Sequence, residues 1–153
     1  MTAAWSIRQA TAGDLAEWAA LRQALWPDEN PGRHAGDIHD ILGKPGRAVG
    51  FLVIDRAGRA LGFAEATLRT DYVNGTDSSP VGFLEGWYVV PEHRRSGAGR
   101  ALVEAVERWT REQACTELAS DTWLDNALGQ QAHRACGFEE VERVVYFRKR
   151  LVA

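Results

Sequence analysis

Residues 81–109, VGFLEGWYVVPEHRRSGAGRALVEAVERW, decide the fold because they join an apolar strand to a helix through a glycine-rich turn. Residues 81–91 are the most apolar run of the chain and predict a central strand. The helix that follows has apolar residues at helical spacing: Leu102, Val103, Val106 and Trp109. Gly97 and Gly99 stand at its start, where glycine is unfavourable unless the backbone bends unusually or approaches another group closely. This turn is therefore the first candidate for a binding site.

On either side of this unit, the sequence predicts alternating strands and helices. Strands are predicted at residues 5–10, 48–54, 60–70, 116–122 and 138–151, and helices from Thr11 or Asp14, from Asp37 and from Asn126. Polar, turn-rich stretches at residues 27–36 and 71–80 predict loops. The order β-α-α-β-β-β-α-β-α-β predicts an α/β fold with a mixed, twisted sheet covered by helices on both faces. No linker or repeat interrupts the chain, which predicts a single domain over residues 1–153.

The composition is that of a globular protein, since 45% of the 153 residues are hydrophobic and 25% are charged. The formal net charge of −3 argues against a nucleic-acid binder, which needs a basic face. No apolar run reaches the roughly 18 residues of a membrane span, and the first residues lack the pattern of a secretory signal. We therefore expect a cytoplasmic protein without a membrane partner. Cys115 and Cys136 have no metal-ligand spacing, which predicts free thiols and no metal site.

Four interpretations of the turn RRSGAG, residues 94–99, compete. A nucleoside-triphosphate loop requires Lys followed by Ser or Thr, and a dinucleotide fingerprint requires a third glycine, and the sequence has neither. A plain strand-to-helix turn and a pyrophosphate-binding turn both remain open. In the second interpretation, backbone N–H groups at the helix N-terminus attract an anion, and Arg94, Arg95 and Arg100 add positive charge.

Three segments in chain order resemble the GNAT superfamily of acetyl-CoA-dependent N-acetyltransferases. They are FLEGWYVVP, then EHRRSGAGRALVEAVERW with its Arg-x-x-Gly-x-Gly core, then DTWLDNALGQQAHRACGFEE. The Arg-x-x-Gly-x-Gly motif becomes specific for this superfamily when Asn126 and the Gly-Phe pair eleven residues after it are also present. More narrowly, LRQALWP, DYVNGTDSSPVGFLEG, ASDT and GFEEVERVVYFRKR resemble the aminoglycoside 6'-N-acetyltransferases of enteric and environmental bacteria. Both resemblances extend over nearly the whole chain.

The resemblance implies a GNAT fold whose two central strands splay apart at a bulge, and Gly86 fits the bulge position. It also implies that the pantetheine arm of acetyl-CoA lies along this strand like an added strand, with a backbone N–H near Tyr88 or Val89 holding the thioester oxygen. Asn126 reaches the pantetheine in this view, whereas a plain helix N-cap is the alternative. The implied cofactor-binding residues are Trp87, Tyr88, Val89, Arg94, Arg95, Ser96, Gly97, Ala98, Gly99, Arg100 and Asn126.

The acidic residues of the chain suit a polycationic acceptor, because carboxylates accept hydrogen bonds from ammonium groups. Glu85 is unusual within so apolar a strand, and Asp121 ends the next strand. Each acid also has a purely structural alternative. Glu85 could face water at a sheet edge, Asp121 could cap a turn, and Glu142 could lie on a solvated face. Trp26 and Tyr72 resemble the sugar-contacting aromatics of the family, and each lies beside polar turn residues. The predicted substrate-binding residues are thus Trp26, Tyr72, Glu85, Asp121 and Glu142.

The predicted catalytic residues are Glu85, Asp121 and His133. The acceptor amine must lose a proton before it attacks the thioester, and Glu85, directly or through a water, is the candidate base. Many members of the superfamily have a tyrosine acid where this chain has His133, so His133 is the candidate acid, with Tyr146 as the alternative. Neither cysteine has an obvious activating partner, which favours direct attack over an acyl-enzyme.

The leading hypothesis is acetyl transfer to the 6'-amine of tobramycin- or kanamycin-like antibiotics. The second hypothesis keeps the chemistry and changes the acceptor to a polyamine, an amino-acid derivative or a protein amine. The third is a CoA-binding module without activity, which would keep the Arg-x-x-Gly-x-Gly turn and lose the acids of the amine site. The resemblance also implies a homodimer, with exchange of the final strand between subunits left open.

Overall fold

The computed structural model describes residues 4–152 and confirms the α/β class. Its strands are β1 (Trp5–Gln9), β2 (Ala48–Asp55), β3 (Ala60–Arg69), β4 (Val81–Val89) and β5 (Leu118–Ser120). Its α-helices are α1 (Leu15–Leu25), α2 (Pro31–Leu42), α3 (Ala98–Glu112) and α4 (Ala127–Ala135), with short 3-10 turns at Ala12–Asp14 and Pro91–His93. The β2–β3 hairpin and the unit of β4 and α3 lie where the sequence predicts them.

The five strands form one mixed sheet in the order β1-β2-β3-β4-β5. Neighbouring strands are antiparallel from β1 to β4, whereas β4 and β5, which are connected through α3, are parallel. Gly50 of β2 faces α1, and Gly82 of β4 faces α3. These glycines pair with Glu65 and Leu68 of β3, which are an odd number of residues apart and so point to opposite faces. Helices therefore cover both faces of the sheet, as predicted.

Both helical layers bury apolar side chains against the sheet. On the side of α1 and α2, Trp18 and Ile38 are buried together with Phe63 of β3. On the other side, α3 contributes Leu102, Val103, Val106 and Trp109. This two-sided core fixes β4, the strand on which the candidate site is built.

β4 and β5 separate after a short paired segment. Residues 82–84 pair with residues 118–120, and β4 then continues to Val89 beyond the last pair. The register between β3 and β4 shifts at the same point, because Leu84 pairs with Ala66 and Gly86 pairs with Glu65. Glu85 is therefore the extra residue of the bulge, one position before the predicted Gly86. The register confirms the predicted opening in the sheet.

The N-terminus of α2 lies six residues earlier than predicted. Residues 31–36, predicted as part of a loop, form the first turns of this helix. The Asn30 side chain caps it by accepting a hydrogen bond from the Gly32 N–H at 2.9 Å, and Pro31 occupies the first helical position. The Asn-Pro pair was the sequence signal that the loop prediction missed.

The predicted final strand over residues 138–151 is wrong for this structure, because residues 138–152 contain neither helix nor strand. A strand requires backbone hydrogen bonds to a neighbouring strand, and alternating side chains alone do not provide one. Glu142, predicted within that strand, therefore lies in an irregular segment. The large apolar side chains of this segment are exposed: Val141, Val144, Val145, Tyr146, Phe147, Leu151 and Val152.

The described residues divide into two compact units, one ending at Asp121 and one beginning at Thr122. The first unit contains the sheet and helices α1 to α3, and the second contains α4 and the irregular segment. Gly137, beyond the end of α4, has a φ of +92°, a left-handed conformation that glycine adopts easily. The single domain over residues 1–153 stays a prediction, and residues 1–3 and 153 lie outside the described residues.

Candidate active site

The opened edge of β4 is the first part of the site. Residues 85–89 extend beyond the last pair with β5, so their backbone groups on that side face the gap between the two strands. Such an edge can hydrogen-bond an extended ligand as an added strand would. Trp87 and Tyr88 are half-buried there, and the Trp87 ring donates from Nε1 to the Gly99 carbonyl at 3.0 Å. This bond ties the end of β4 to the first turn of α3.

The glycine-rich turn is the second part of the site. Gly97 is the N-cap of α3 and has a φ of +88°, in the left-handed region that favours glycine. Arg95 is also left-handed, with a φ of +63°, and Ser96 Oγ donates to the His93 carbonyl at 2.6 Å. The turn is thus a fixed structure that exposes the N-terminus of a 15-residue helix, the arrangement that attracts an anion. Ala98 is buried beneath it.

The three arginines near the turn differ in what they contact. Arg94 donates from Nε to the Val89 carbonyl at 2.8 Å and lies over the Tyr88 ring at 5.4 Å, so its guanidinium packs back onto β4. Arg95 and Arg100 are exposed on the turn itself. Arg95 and Arg100 therefore present exposed side chains close to this helix N-terminus.

Glu85, the extra residue of the bulge, is fixed by two residues of β3. Its carboxylate accepts a hydrogen bond from Thr67 Oγ1 at 2.8 Å and forms a bidentate ion pair with Arg69. Glu85 was predicted from its unusual place in an apolar strand, whereas neither of its partners was predicted. Thr67 and Arg69 alternate on β3, so they share one face of the sheet, and this spacing was the available signal.

Trp26 lies on the same face, at the C-terminus of α1. Its ring makes a T-shaped contact with Phe63 at 6.0 Å, and a Cβ at Gly86 would come within 2.5 Å of the ring. The glycine after the bulge is therefore required by close approach of Trp26. The ring is half-buried, so it combines packing against β4 with access from outside.

A buried charged cluster, which was not predicted from the sequence, packs against Trp26. The Arg22 guanidinium pairs with Glu65 through Nη1 and donates from Nη2 to Asp37 at 2.7 Å, and it stacks on the Trp26 ring. Glu65 also accepts from Trp18 Nε1 at 2.8 Å. Burial raises the pKa of the Glu65 carboxyl, and the charge of Arg22 opposes this effect. An acid inside the apolar run GFAEATL was the missed signal.

Asp121 and Tyr72 occupy exposed positions. Asp121 follows Ser120, the last residue of β5 to pair with β4, just as Glu85 follows Leu84. Both residues thus follow the last paired positions of their strands, and their roles in binding a substrate stay predictions. Tyr72 is 74% exposed on the loop before β4. Glu117 anchors this loop by accepting from the Asp77 N–H at 2.9 Å and from the Ser78 hydroxyl, which lowers the pKa of Glu117.

In the second unit, Asn126 is the N-cap of α4. Its side chain accepts from the Gly129 N–H at 2.9 Å and donates to Thr122 Oγ1 at 3.0 Å, so the N-cap alternative describes its contacts. His133 bonds through Nδ1 to the Gly129 carbonyl at 2.6 Å, which places the proton on Nδ1. Tyr146, the alternative acid, is 86% exposed. The catalytic and ligand-binding assignments of these residues stay predictions.

Other features of the described chain bear on the class of chemistry. Within residues 4–152, no three His, Cys, Asp or Glu side chains come together where a metal ion could be held. Over the same residues, the helices are all too short or too polar to cross a membrane. Both cysteines are free thiols, and burial raises the pKa of Cys115, which makes it a poor nucleophile.

Comparison with known proteins agrees with this geometry. Residues 15–138 match the acetyltransferase (GNAT) family. An aminoglycoside N(6')-acetyltransferase type 1 of Stenotrophomonas maltophilia is 55% identical over 143 residues, which cover 94% of this chain and 92% of that protein. The structure of AAC(6')-Iy in complex with the bisubstrate analog CoA-S-monomethyl-acetylneamine aligns with a TM-score of 0.91 at 44% identity, over 96% of this chain and 99% of that one. The structure of AAC(6')-Ih from Acinetobacter baumannii aligns with a TM-score of 0.90 at 42% identity, over 96% of this chain and 99% of that chain.

Proposed function

The chain belongs to the acetyltransferase (GNAT) family, and we propose that it transfers the acetyl group of acetyl-CoA to the 6'-amine of aminoglycoside antibiotics. One observation carries this proposal. The opening in the sheet has Glu85 and Asp121 at the end where β4 and β5 separate, and β4 leads from there to the anion-attracting N-terminus of α3 at the other end. A nucleotide carrying phosphates and an acceptor carrying ammonium groups are the two ligands that such a pair of ends suits. The relatives of known activity reported above support the choice of acceptor.

Residues of the first unit fit acetyl-CoA, which supplies an activated acetyl group. The free edge of β4 at Trp87, Tyr88 and Val89 offers backbone groups to the pantetheine, and a nearby N–H stabilises the thioester oxygen as negative charge develops on it. The turn from Arg94 to Arg100, with Gly97 as N-cap, receives the pyrophosphate. Asn126 holds the pantetheine in this proposal, as the family resemblance implies.

The acceptor lies on the side of Glu85 and Asp121. The Trp26 and Tyr72 rings give apolar faces to the sugar rings, and the carboxylates accept hydrogen bonds from ammonium groups. Glu142 is a further candidate acid for the same ligand. The alternative acceptors, a polyamine, an amino-acid derivative or a protein amine, would use the same charges, and no contact in the structure favours one of them.

The reaction proceeds by direct attack. The 6'-amine loses a proton to Glu85 or to a water held by it, and for an amine with a pKa near 10 this costs about 1.4 kcal/mol for each pH unit down to 7. The amine nitrogen then bonds to the thioester carbonyl carbon. The carbon–sulfur bond breaks, the thiolate takes up a proton, and the products are the 6'-N-acetyl amide and CoA. His133 is the proposed donor of that proton.

The proposal extends to assembly and location. The exposed apolar side chains of residues 141–152 need cover, and a second copy of the chain supplies it in a homodimer. A cytoplasmic location follows from the use of acetyl-CoA, a cytoplasmic metabolite.

The test is CoA release measured with a thiol reagent, using acetyl-CoA with kanamycin, an aminoglycoside bearing a 6'-hydroxyl, spermidine and a lysine peptide. Turnover with kanamycin and none with the 6'-hydroxyl compound is expected. Glu85→Ala and Asp121→Ala should each lower kcat/KM for kanamycin at least tenfold and leave the KM for acetyl-CoA within about twofold, since carboxylate hydrogen bonds are worth about 1.5–3 kcal/mol. Turnover of the peptide alone would show that the acceptor is wrong.

A further inference from the structure

The carboxylate of Glu85 already has a cation beside it. Arg69 donates from Nε to Oε1 at 3.0 Å and from Nη2 to Oε1 and Oε2 at 2.9 and 2.8 Å. The guanidinium carbon of Arg69 lies 3.5 Å from the centre of the Phe83 ring, so the group is held between an aromatic face and a carboxylate. The Thr67 hydroxyl also donates a hydrogen bond to the Glu85 carboxylate, at 2.8 Å. The side chains of Arg69 and Glu85 are 43% and 29% exposed, so a ligand can reach the pair.

The buried charged groups on this face are paired with each other. Glu65 of β3 is buried and paired with Arg22 of α1, which also binds Asp37 and His34 of α2. Asp121 follows β5 on the other side of the gap. Among these groups, Arg69 is the cation in contact with Glu85. The charge that Glu85 presents to a ligand is therefore set by Arg69.

This pairing matters for the chemistry because the acceptor must be a neutral amine when it attacks. A carboxylate beside an ammonium group stabilises the charged form and raises the pKa of the amine, typically by 1–3 units at close range. An uncompensated Glu85 would thus bind the substrate well and hold it in the unreactive state. A neutralised Glu85 still accepts a hydrogen bond and raises the amine pKa less.

We propose that Arg69 is a positioning residue that compensates the charge of Glu85, so that Glu85 orients the acceptor amine without holding it as an ammonium ion. Arg69 acts through Glu85 and does not itself contact the reacting atoms. This inference rests on the proposed function, in which Glu85 receives the 6'-amine. It adds a residue whose charge, rather than its shape, sets the pH range in which the enzyme works.

The experiment compares Arg69→Gln with Arg69→Lys in the full chain. Gln keeps a hydrogen-bond donor and loses the charge, whereas Lys keeps the charge. The pH dependence of kcat with kanamycin is measured, because kcat reports ionisations in the enzyme–substrate complex. The acid limb of Arg69→Gln should move about one pH unit upward. Its kcat should thus fall about tenfold at pH values well below the wild-type limb and be within about twofold of wild type above the shifted limb. Arg69→Lys should keep the wild-type profile.

Controls separate this inference from the proposed function and from misfolding. Arg111→Gln, which removes an exposed arginine paired with Glu107 on α3, should leave the profile unchanged. Melting temperatures identify any variant that fails to fold. Proton release on kanamycin binding, which does not depend on turnover, is measured by calorimetry in two buffers. This proton release should be lower for Arg69→Gln than for the wild type. Absence of kanamycin turnover by the wild type refutes the proposed function itself. If the wild type is active and Arg69→Gln lowers kcat by one factor at every pH, or matches Arg69→Lys, the role of Arg69 is refuted.

Discussion

Gly97 and Gly99 are glycines for different physical reasons. The φ of +88° at Gly97 lies in the left-handed region, whereas no such angle occurs at Gly99, where a Cβ would make an ordinary contact of 3.5 Å with the Trp87 ring. The fold alone therefore requires the first glycine and tolerates a methyl group at the second. A requirement for glycine at position 99 must come from something outside the chain.

This difference makes a prediction about acetyl-CoA. Gly97→Ala should lower the free energy of unfolding by roughly 1–2 kcal/mol because of its backbone conformation. Gly99→Ala should stabilise the helix, by up to about 1 kcal/mol, and still raise the KM for acetyl-CoA, because its methyl group meets the phosphates. Urea unfolding and steady-state kinetics measure the two effects. An unchanged KM in the more stable Gly99→Ala variant would move the pyrophosphate away from this turn.

At the scale of elements, β1 is tied to the start of α1 by Arg8 and Asp14. The two side chains form a bidentate ion pair with both distances at 2.7 Å, and Asp14 also accepts from the Thr11 N–H at 2.8 Å. The hydrogen bond from Arg8 is the main reason that the pKa of Asp14 is lowered to about 2. Folding therefore favours the ionised form of this carboxyl.

The sign of the pH effect follows from that lowered pKa. The stabilisation by Asp14 is complete above its unfolded pKa of about 4 and is lost as the pH falls towards about 2. Asp14→Asn should thus melt at a lower temperature than the wild type at pH 7, and the gap should be much smaller at pH 2. Asp71→Asn, on the exposed loop before β4, is the control. A gap of equal size at both pH values would contradict the assignment.

The contact between α1 and β3 depends on the buried pair of Arg22 and Glu65. Arg22→Met should lower the free energy of unfolding by about 3–5 kcal/mol, because it leaves the Glu65 carboxylate buried without its cation. Adding Glu65→Gln should recover much of that loss, since the neutral amide still accepts from Trp18 Nε1. A double-mutant cycle by urea unfolding at pH 7 measures the coupling. Additive losses would show that the two groups act independently.

These elements also show what sequence reasoning can and cannot reach. Local patterns predicted β4, the turn at Gly97 and α3, because strand apolarity, helical spacing and a left-handed cap are properties of neighbouring residues. Glu85 was found by its unusual surroundings, yet Arg69 was missed, because their contact depends on the register between two strands. Glu65 was missed although it stands in an apolar run, and its partner could not be predicted because Arg22 lies on helix α1, 43 residues away.

At the scale of the whole molecule, the irregular C-terminal segment is the least self-sufficient part of the chain. The alternation over residues 138–151 predicts a strand, but a strand needs a partner, and pattern alone does not say which chain provides it. Phe147 is 92% exposed and Tyr146 86% exposed, values unusual for aromatic side chains of a stable monomer. The proposed homodimer gives both the backbone and these side chains a partner.

The oligomeric state tests this interpretation directly. Sedimentation of the wild type should give the mass of two chains, about twice 16.9 kDa. Tyr146→Ser with Phe147→Ser should shift the equilibrium towards the monomer, because each buried aromatic contributes roughly 1.5–3 kcal/mol to association. Leu128→Ser, an exposed apolar position on α4, is the matched control and should leave the mass unchanged. A wild type that sediments as a monomer at every concentration would leave the exposed segment without its proposed partner.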